Sequence, residues 1–192
     1  MKRIALFASG SGTNLENIAK ECHNGRIPAE ASLVICDKPE AGAIKRARNY
    51  GIPVVMVDRK QFATKEAFEA EISKALEARK IDLIVLAGFM RILSPSFVRL
   101  YKGKIINIHP SLLPAFPGAH GIKDAFDAKV KETGVTVHFV DEGVDTGPVI
   151  LQKKVTVEPT DTLEQLEEKI HSVEYQIYPE ALRLVVSGKV KA

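Results

Sequence analysis

The sequence predicts an α/β fold with a doubly wound, mostly parallel sheet, and three features of the chain predict it. Short, almost continuously apolar runs, typical of buried parallel strands, alternate with longer amphipathic stretches. After residue 131 the pattern changes to the two-residue alternation of a half-exposed strand. No repeat or linker divides the chain, so residues 1–192 are expected to form a single domain.

The first half of the chain predicts a Rossmann-like arrangement of parallel strands joined by crossover helices. Ser94, followed by Pro95, is expected to cap the fourth of these helices. Ligands of such folds bind at the carboxyl ends of the strands, which is where chemistry is expected. The apolar runs predict strands at 4–8, 33–36, 54–57, 83–87 and 105–108, and the amphipathic stretches predict helices near 15–21, 43–50, 65–79 and 95–100.

The second half predicts a helix near 123–131, a C-terminal antiparallel hairpin and a closing helix. The hairpin pairs a strand at 135–140 with a strand at 149–157 through a long acidic, glycine-rich loop, and long loops are often functional. The closing helix is expected to begin at Thr162, whose hydroxyl can form a capping box with Gln165, and to stop at Gly188.

Composition narrows the classes of partner. The 27 basic and 24 acidic residues leave a net charge of +3 without a basic block, which favours small anionic ligands over nucleic acid. The first apolar run is too short for a signal peptide or a membrane span, so a cytoplasmic protein is expected. Cys22 and Cys36 form no CxxC pair, which predicts buried thiols in a reducing compartment and no metal site.

A glycine-rich turn, residues 9–15, lies between the first strand and the first helix. Its small residues let backbone N–H groups approach an anion at the helix N-terminus, and the lysine of a P-loop is missing. Gly10 and Gly12 match the start of a dinucleotide-binding fingerprint, with Asp37 where a ribose-binding acid would lie. Leu15 occupies the third glycine position, which weakens that alternative. A plain tight turn with an N-cap is the structural alternative.

A polar pair closes the fifth predicted strand. Asn107 and His109 are two residues apart, so their side chains project from the same face, and Pro110 ends the strand immediately after them. Asp145 in the long loop could face His109 and hold the imidazole in its positively charged form, ready to stabilise charge on a carbonyl oxygen. His120 is a second-rank candidate in a nearby loop, whereas His138 is expected to pack between strands.

The segment after the fourth strand, residues 86–93, is expected to border the same cleft. Four apolar side chains could line a slot for a flat heterocycle while the backbone reads its edges. Ordinary core lining is the alternative for this segment. The four side chains are Phe89, Met90, Ile92 and Leu93.

Four segments in this order resemble the glycinamide ribonucleotide formyltransferases, which use 10-formyltetrahydrofolate. They are residues 9–15, 86–93, 107–114 and 141–148, and the resemblance runs over nearly the whole chain. The last three are shared in part by methionyl-tRNA formyltransferase and formyltetrahydrofolate deformylase, while the first points to the ribonucleotide. The resemblance implies the formyltransferase fold and a role in purine biosynthesis and one-carbon metabolism.

The resemblance also implies roles for individual residues. Asn107, His109 and Asp145 match the catalytic trio, and Glu174 falls at an expected ribose contact. Lys65 falls where a basic residue, often arginine, lies near the folate; lysine keeps the charge but not a bidentate fork. The substrate phosphate is expected at Gly12, Thr13 and Asn14, and the folate at Met90, Arg91, Ile92, Leu93, Val140, Asp141 and Glu142.

The implied mechanism is direct attack of the glycinamide amine on the formyl carbon, through a tetrahedral intermediate and without a metal. Asn107 and the charged His109 would donate hydrogen bonds to the oxyanion, and Asp145 would hold the charge on His109 and help manage the amine proton. A deformylase, which passes the formyl group to water, and a non-catalytic nucleotide-binding module are the alternatives. A monomer and a homodimer fit the sequence equally well.

Overall fold

A single seven-stranded sheet runs through the computed structural model, which describes residues 1–192. The strands are β1 (Lys2–Ala8), β2 (Ala29–Cys36), β3 (Val54–Met56), β4 (Leu83–Leu86), β5 (Ile105–His109), β6 (Glu132–Phe139) and β7 (Val149–Thr156). The strand order is β3-β2-β1-β4-β5-β6-β7, with β1 to β5 parallel and β6 and β7 joined to the sheet by antiparallel pairing, which confirms the predicted fold class.

Helices cover both faces of this sheet. The helices are α1 (Thr13–His23), α2 (Gly42–Asn49), α3 (Lys65–Ala78), α4 (Pro95–Leu100), α5 (Gly121–Asp127) and α6 (Leu163–Val186). A short 3-10 turn, Arg59–Gln61, precedes α3. Alternate residues of β1 to β5 point into two separate apolar clusters, one against α1, α2 and α6 and the other against α3 and α4, while β6 and β7 contribute to the first cluster only.

Most predicted boundaries agree with the structure, and the local signals explain why. Ser94 caps α4 through its bond from the Phe97 N–H, and Thr162 and Gln165 form the predicted capping box of α6. The prediction for α5 was wrong at its end, because the helix stops at Asp127 and Lys129 adopts a left-handed conformation with φ of 52°. After this turn the chain enters β6, which starts three residues earlier than predicted.

Helix α6 is fixed to the carboxyl edge of the sheet by a buried tyrosine. Tyr178 donates its hydroxyl to the Leu86 carbonyl at 2.6 Å, at the end of β4. Pro179 lies inside the helix and has no N–H. The carbonyl of Tyr175, four residues earlier, therefore lacks its helical hydrogen bond. Asn17 of α1 donates to this carbonyl at 2.8 Å, so the missing helical bond becomes a contact between α1 and α6.

The cysteines occupy different environments. Cys36 is buried, as predicted, whereas Cys22 is only partly buried, and neither forms a disulfide. Burial raises the pKa of the Cys22 thiol to about 12, with a smaller contribution from Glu21.

No helix combines the length and the apolarity that crossing a membrane requires.

Candidate active site

The carboxyl end of β5 presents Asn107 and His109 on one face of the sheet, as predicted. In the antiparallel pairing with β6, Asn107 lies opposite His138 and His109 lies opposite Thr136. His109 is buried, while Asn107 is half-buried and its side-chain amide bonds to no other group of the protein. The amide is therefore a hydrogen-bond donor held on a rigid strand with its capacity free.

Both ring nitrogens of His109 face acceptors. Nε2 lies 2.7 Å from the carbonyl oxygen of Phe116, and Nδ1 lies 3.5 Å from Oδ2 of Asp145. A carbonyl oxygen can only accept, so Nε2 donates to Phe116, and the Asp145 carboxylate lies within ion-pair distance of Nδ1. The ring of His109 is thus held between the Phe116 carbonyl and the Asp145 carboxylate.

Asp145 is held in place by its backbone conformation and by one hydrogen bond to its side chain. Its own φ is 54°, a left-handed conformation, and its Oδ2 accepts from the Gly118 N–H at 2.8 Å. Within the same loop, Asp141 accepts from the Gly143 N–H at 3.0 Å and from the Thr146 hydroxyl at 2.6 Å. The loop that carries Asp145 is therefore folded by its own side chains.

His138 is the residue of this cluster that the sequence did not reveal. It is buried, as the packing prediction required, but its Nε2 lies 3.7 Å from Oδ1 of Asp145 and makes no hydrogen bond. Burial lowers the pKa of His138, and smaller opposing effects come from the Phe139 carbonyl and Asp145. The sequence signal that could have found this position is the two-residue period of the strand. Because Val135, Val137 and Phe139 fill the core, His138 lies on the other face of the sheet.

The glycine-rich turn after β1 forms the N-terminus of α1. Gly12 has φ of 77°, and a Cβ there would lie 2.5 Å from the Cα of Ala43, so only glycine fits. No side chain caps this helix. The backbone N–H groups of its first turn are thus open to an anion.

This turn meets Glu174 across 160 residues of sequence. Asn14 Nδ2 donates to Glu174 Oε2 at 3.2 Å, and Nδ1 of His171 lies 3.0 Å from the same oxygen. The carboxylate is buried, and Oδ1 of Asn14 is buried without a partner. Helix α6 therefore brings the predicted ribose contact beside the predicted phosphate site.

The dinucleotide-binding alternative does not fit the geometry. Leu15 is fully buried in the core. The Asp37 side chain is only 1% exposed and is paired with Arg91 Nε, so it cannot reach a ribose hydroxyl.

The segment from Gly88 to Leu93 follows β4 and lies beside the turn after β1. Ser9 Oγ accepts from the Met90 N–H at 2.9 Å, and the side chains of Met90 and Ile92 are 73% and 72% exposed. The prediction that the Leu93 side chain lines a slot was wrong, because it is buried in the core. Side chains alternate along an extended segment, so two point outward and their neighbours point inward.

The structure places the other predicted donor contacts on α3 and on the loop after β6. Lys65 is the first residue of α3 and forms no ion pair, and the next turn of that helix contacts Ser94. Val140 packs partly against the α3 and α4 face, and Glu142 is paired with Arg99 of α4 at 2.6 Å. His120 is exposed at the start of α5 and does not join the His109 cluster.

Comparison with known proteins gives the family. The profile of the formyl transferase family matches residues 2–182. Phosphoribosylglycinamide formyltransferase of Bacillus subtilis (strain 168) is 46% identical over 183 residues, which are 95% of this chain and 94% of that protein.

Solved structures agree with this assignment. The phosphoribosylglycinamide formyltransferase of Bacillus halodurans is 50% identical, with a TM-score of 0.94 over 98% of this chain and 97% of that one. Glycinamide ribonucleotide transformylase 1 of Geobacillus kaustophilus is 51% identical, with a TM-score of 0.94 over 96% of this chain and 98% of that one. The chain belongs to the formyltransferase family, within its phosphoribosylglycinamide formyltransferases.

Proposed function

We propose that the protein transfers a formyl group from 10-formyltetrahydrofolate to the amine of glycinamide ribonucleotide in de novo purine biosynthesis. The observation that carries the proposal is the cluster at the end of β5, where the free amide of Asn107 lies beside a His109 ring that contacts Asp145. Family membership supports the same reaction. In this proposal residues 1–192 form one catalytic domain that acts on small molecules. The protein works in the cytoplasm as a monomer or homodimer.

The nucleotide is assigned to the N-terminus of α1. Backbone N–H groups at Gly12 and Thr13 would bind its phosphate, because they have no partner in the helix and point along the positive end of the helix dipole. The side chain of Asn14 would also contact the phosphate. Glu174, which already contacts Asn14, would accept hydrogen bonds from the ribose hydroxyls.

The formyl donor is assigned to the groove between residues 90–93 and the loop 140–145. The exposed side chains of Met90 and Ile92 suit the faces of a flat heterocycle, and exposed apolar side chains of this size on neighbouring positions favour a ligand. Backbone groups of Arg91, Leu93 and the loop would bond to its edges. Lys65 would face the carboxylates of the donor.

Transfer requires a site that stabilises negative charge on the formyl oxygen. Asn107 would donate its amide N–H to that oxygen, and His109 would add a charge-assisted hydrogen bond. Nε2 of His109 donates to Phe116 in this structure, so donation to the substrate exchanges that bond for another. Asp145 would maintain the charge on His109 and accept, directly or through water, the proton that the attacking amine loses.

The test is to incubate the purified protein with 10-formyltetrahydrofolate, with and without glycinamide ribonucleotide. Absorbance follows the tetrahydrofolate product, and mass spectrometry follows the formylated nucleotide. Formylated product that forms only when the nucleotide is present is the expected result. Release of formate at the same rate without the nucleotide would make the protein a deformylase, and no turnover with binding of nucleotide alone would make it a non-catalytic binding module.

A further inference from the structure

Two buried carboxylates bond to the segment that is assigned to the formyl donor, one at its middle and one at its C-terminal end. Asp37 follows β2 and pairs with Arg91, while Glu69 of α3 bonds to Ser94. Neither belongs to the cluster around His109. Buried carboxylates are costly unless they are paired and hydrogen-bonded, so their positions need an explanation.

Asp37 fixes the side chain of Arg91 through an ion pair. Its Oδ2 accepts from Nε of Arg91, its Oδ1 has no partner, and only 1% of its side chain is exposed. The Arg91 guanidinium carbon also lies 5.6 Å from the centroid of the Phe68 ring on α3. These two contacts hold the Arg91 guanidinium beside Asp37 and α3, while 34% of its side chain stays exposed.

Glu69 fixes the C-terminal end of the segment through the backbone. Its Oε1 accepts from the Ser94 N–H at 2.7 Å, and its Oε2 accepts from the Ser94 hydroxyl. That hydroxyl in turn caps α4 by accepting from the Phe97 N–H at 3.2 Å. The position of Ser94 therefore depends on a carboxylate of α3 as well as on α4.

The exposed residues alternate with the anchored ones, since Met90 precedes Arg91 and Ile92 lies between Arg91 and Ser94. Met90 is bonded through its N–H to Ser9, Arg91 through its side chain to Asp37, and Ser94 to Glu69. With the Arg91 guanidinium paired to Asp37 and Leu93 buried, the side chains of Met90 and Ile92 project outward. We propose that Asp37 and Glu69 are positioning residues for the formyl donor, acting through Arg91 and Ser94 to hold the surface that contacts it.

This inference rests on the proposed function, because the ligand of the segment is taken to be the formyl donor. The two carboxylates bond to the segment and touch no reacting atom, so their loss should weaken donor binding and leave the chemical step almost intact. The nucleotide site at α1 is built by other residues, and the KM for glycinamide ribonucleotide should stay unchanged. A general loss of folding would alter both substrates equally.

The experiment uses Asp37→Asn and Glu69→Gln, each with a matched control of the same charge change. Glu40→Gln alters an exposed carboxylate three residues from Asp37, and Glu71→Gln alters an exposed one on α3. Calorimetry with tetrahydrofolate should show about tenfold weaker binding for each positioning variant, as expected when one charge-assisted contact is lost, and no change for the controls. In steady-state kinetics the KM for the formyl donor should rise by the same factor, while the KM for glycinamide ribonucleotide stays unchanged and kcat almost so.

A double variant separates positioning from mere destabilisation. If Asp37 acts through Arg91, then Arg91→Met and Asp37→Asn should weaken tetrahydrofolate binding by similar factors, and the double variant should be no worse than either. Should Asp37→Asn fail to fold, Arg91→Lys keeps the charge and removes the Nε contact, and the same loss of tetrahydrofolate binding is expected.

Three results would overturn the inference. They are unchanged tetrahydrofolate binding in soluble, folded variants, an equal rise in the KM for both substrates, or multiplied losses in the double variant. Failure of the proposed function looks different, because then the unaltered protein itself would not formylate the nucleotide.

Discussion

Replacing Asp145 by asparagine removes the negative charge that faces His109 while keeping the shape of the side chain. Two unit charges separated by the observed 3.5 Å attract each other by about 5 kcal/mol at an effective dielectric constant of about 20. Desolvation of the two groups offsets about half of this, which leaves about 2–3 kcal/mol for the charged pair. If that energy maintains the charge that stabilises the formyl oxygen, kcat should fall roughly a hundredfold.

The variant should fold, because the asparagine oxygen can still accept from the Gly118 N–H. Initial rates at saturating concentrations of both substrates measure kcat, and thermal unfolding checks the fold. Asp127→Asn is the matched control, since Asp127 is an exposed carboxylate on α5 that pairs with Lys123. An Asp145→Asn protein that turns over as fast as this control would refute the assigned role.

Four further outcomes are expected. Asn107→Ala should keep its melting temperature, because its amide has no partner in the protein, and lose roughly a hundredfold in kcat as one oxyanion donor is removed; a normal kcat contradicts its role. Gly12→Ala places a methyl group 2.5 Å from a neighbouring Cα at a positive φ, so urea unfolding should show a loss of about 1–3 kcal/mol and kinetics a raised nucleotide KM; unchanged values would mean that the turn adapts. Thr162→Ala breaks the capping box and should cost about 1 kcal/mol in urea unfolding without changing kcat; a changed kcat would connect the start of α6 to the active site. Burial lowers the pKa of His138, so on acidification the unfolded chain takes up a proton at a higher pH than the folded chain does. The free energy of unfolding should therefore be full above about pH 6.5 and fall as the pH drops below it. In urea unfolding His138→Gln should lose less stability at acid pH than the unaltered protein, and an equal loss would assign the acid sensitivity to other groups.

The fold could be predicted from the sequence because its signals are local. Alternating apolar runs and amphipathic stretches gave the sheet, and the caps at Ser94 and Thr162 gave helix starts. The shared face of Asn107 and His109 followed from the two-residue period of a strand. Each of these inferences needs only neighbours along the chain.

The contacts that complete the site join residues far apart in sequence. The bond from Asn14 to Glu174 spans 160 residues, and only the resemblance to a family suggested that they meet. The position of the Arg91 guanidinium depends on Asp37, which is 54 residues away. The slot prediction for the Leu93 side chain failed because local hydrophobicity does not say which side of an extended segment is covered.

Direct transfer of the formyl group is tested most directly by running the reaction in water labelled with oxygen-18. If the amine attacks the formyl carbon itself, the original formyl oxygen stays on that carbon, and mass spectrometry should find the formylated nucleotide unlabelled. Hydrolysis of the donor would instead place the label in released formate, which cannot formylate an amine without an activating reagent. Labelled formate in place of formylated nucleotide would contradict the assignment of Asn107, His109 and Asp145 to a direct transfer.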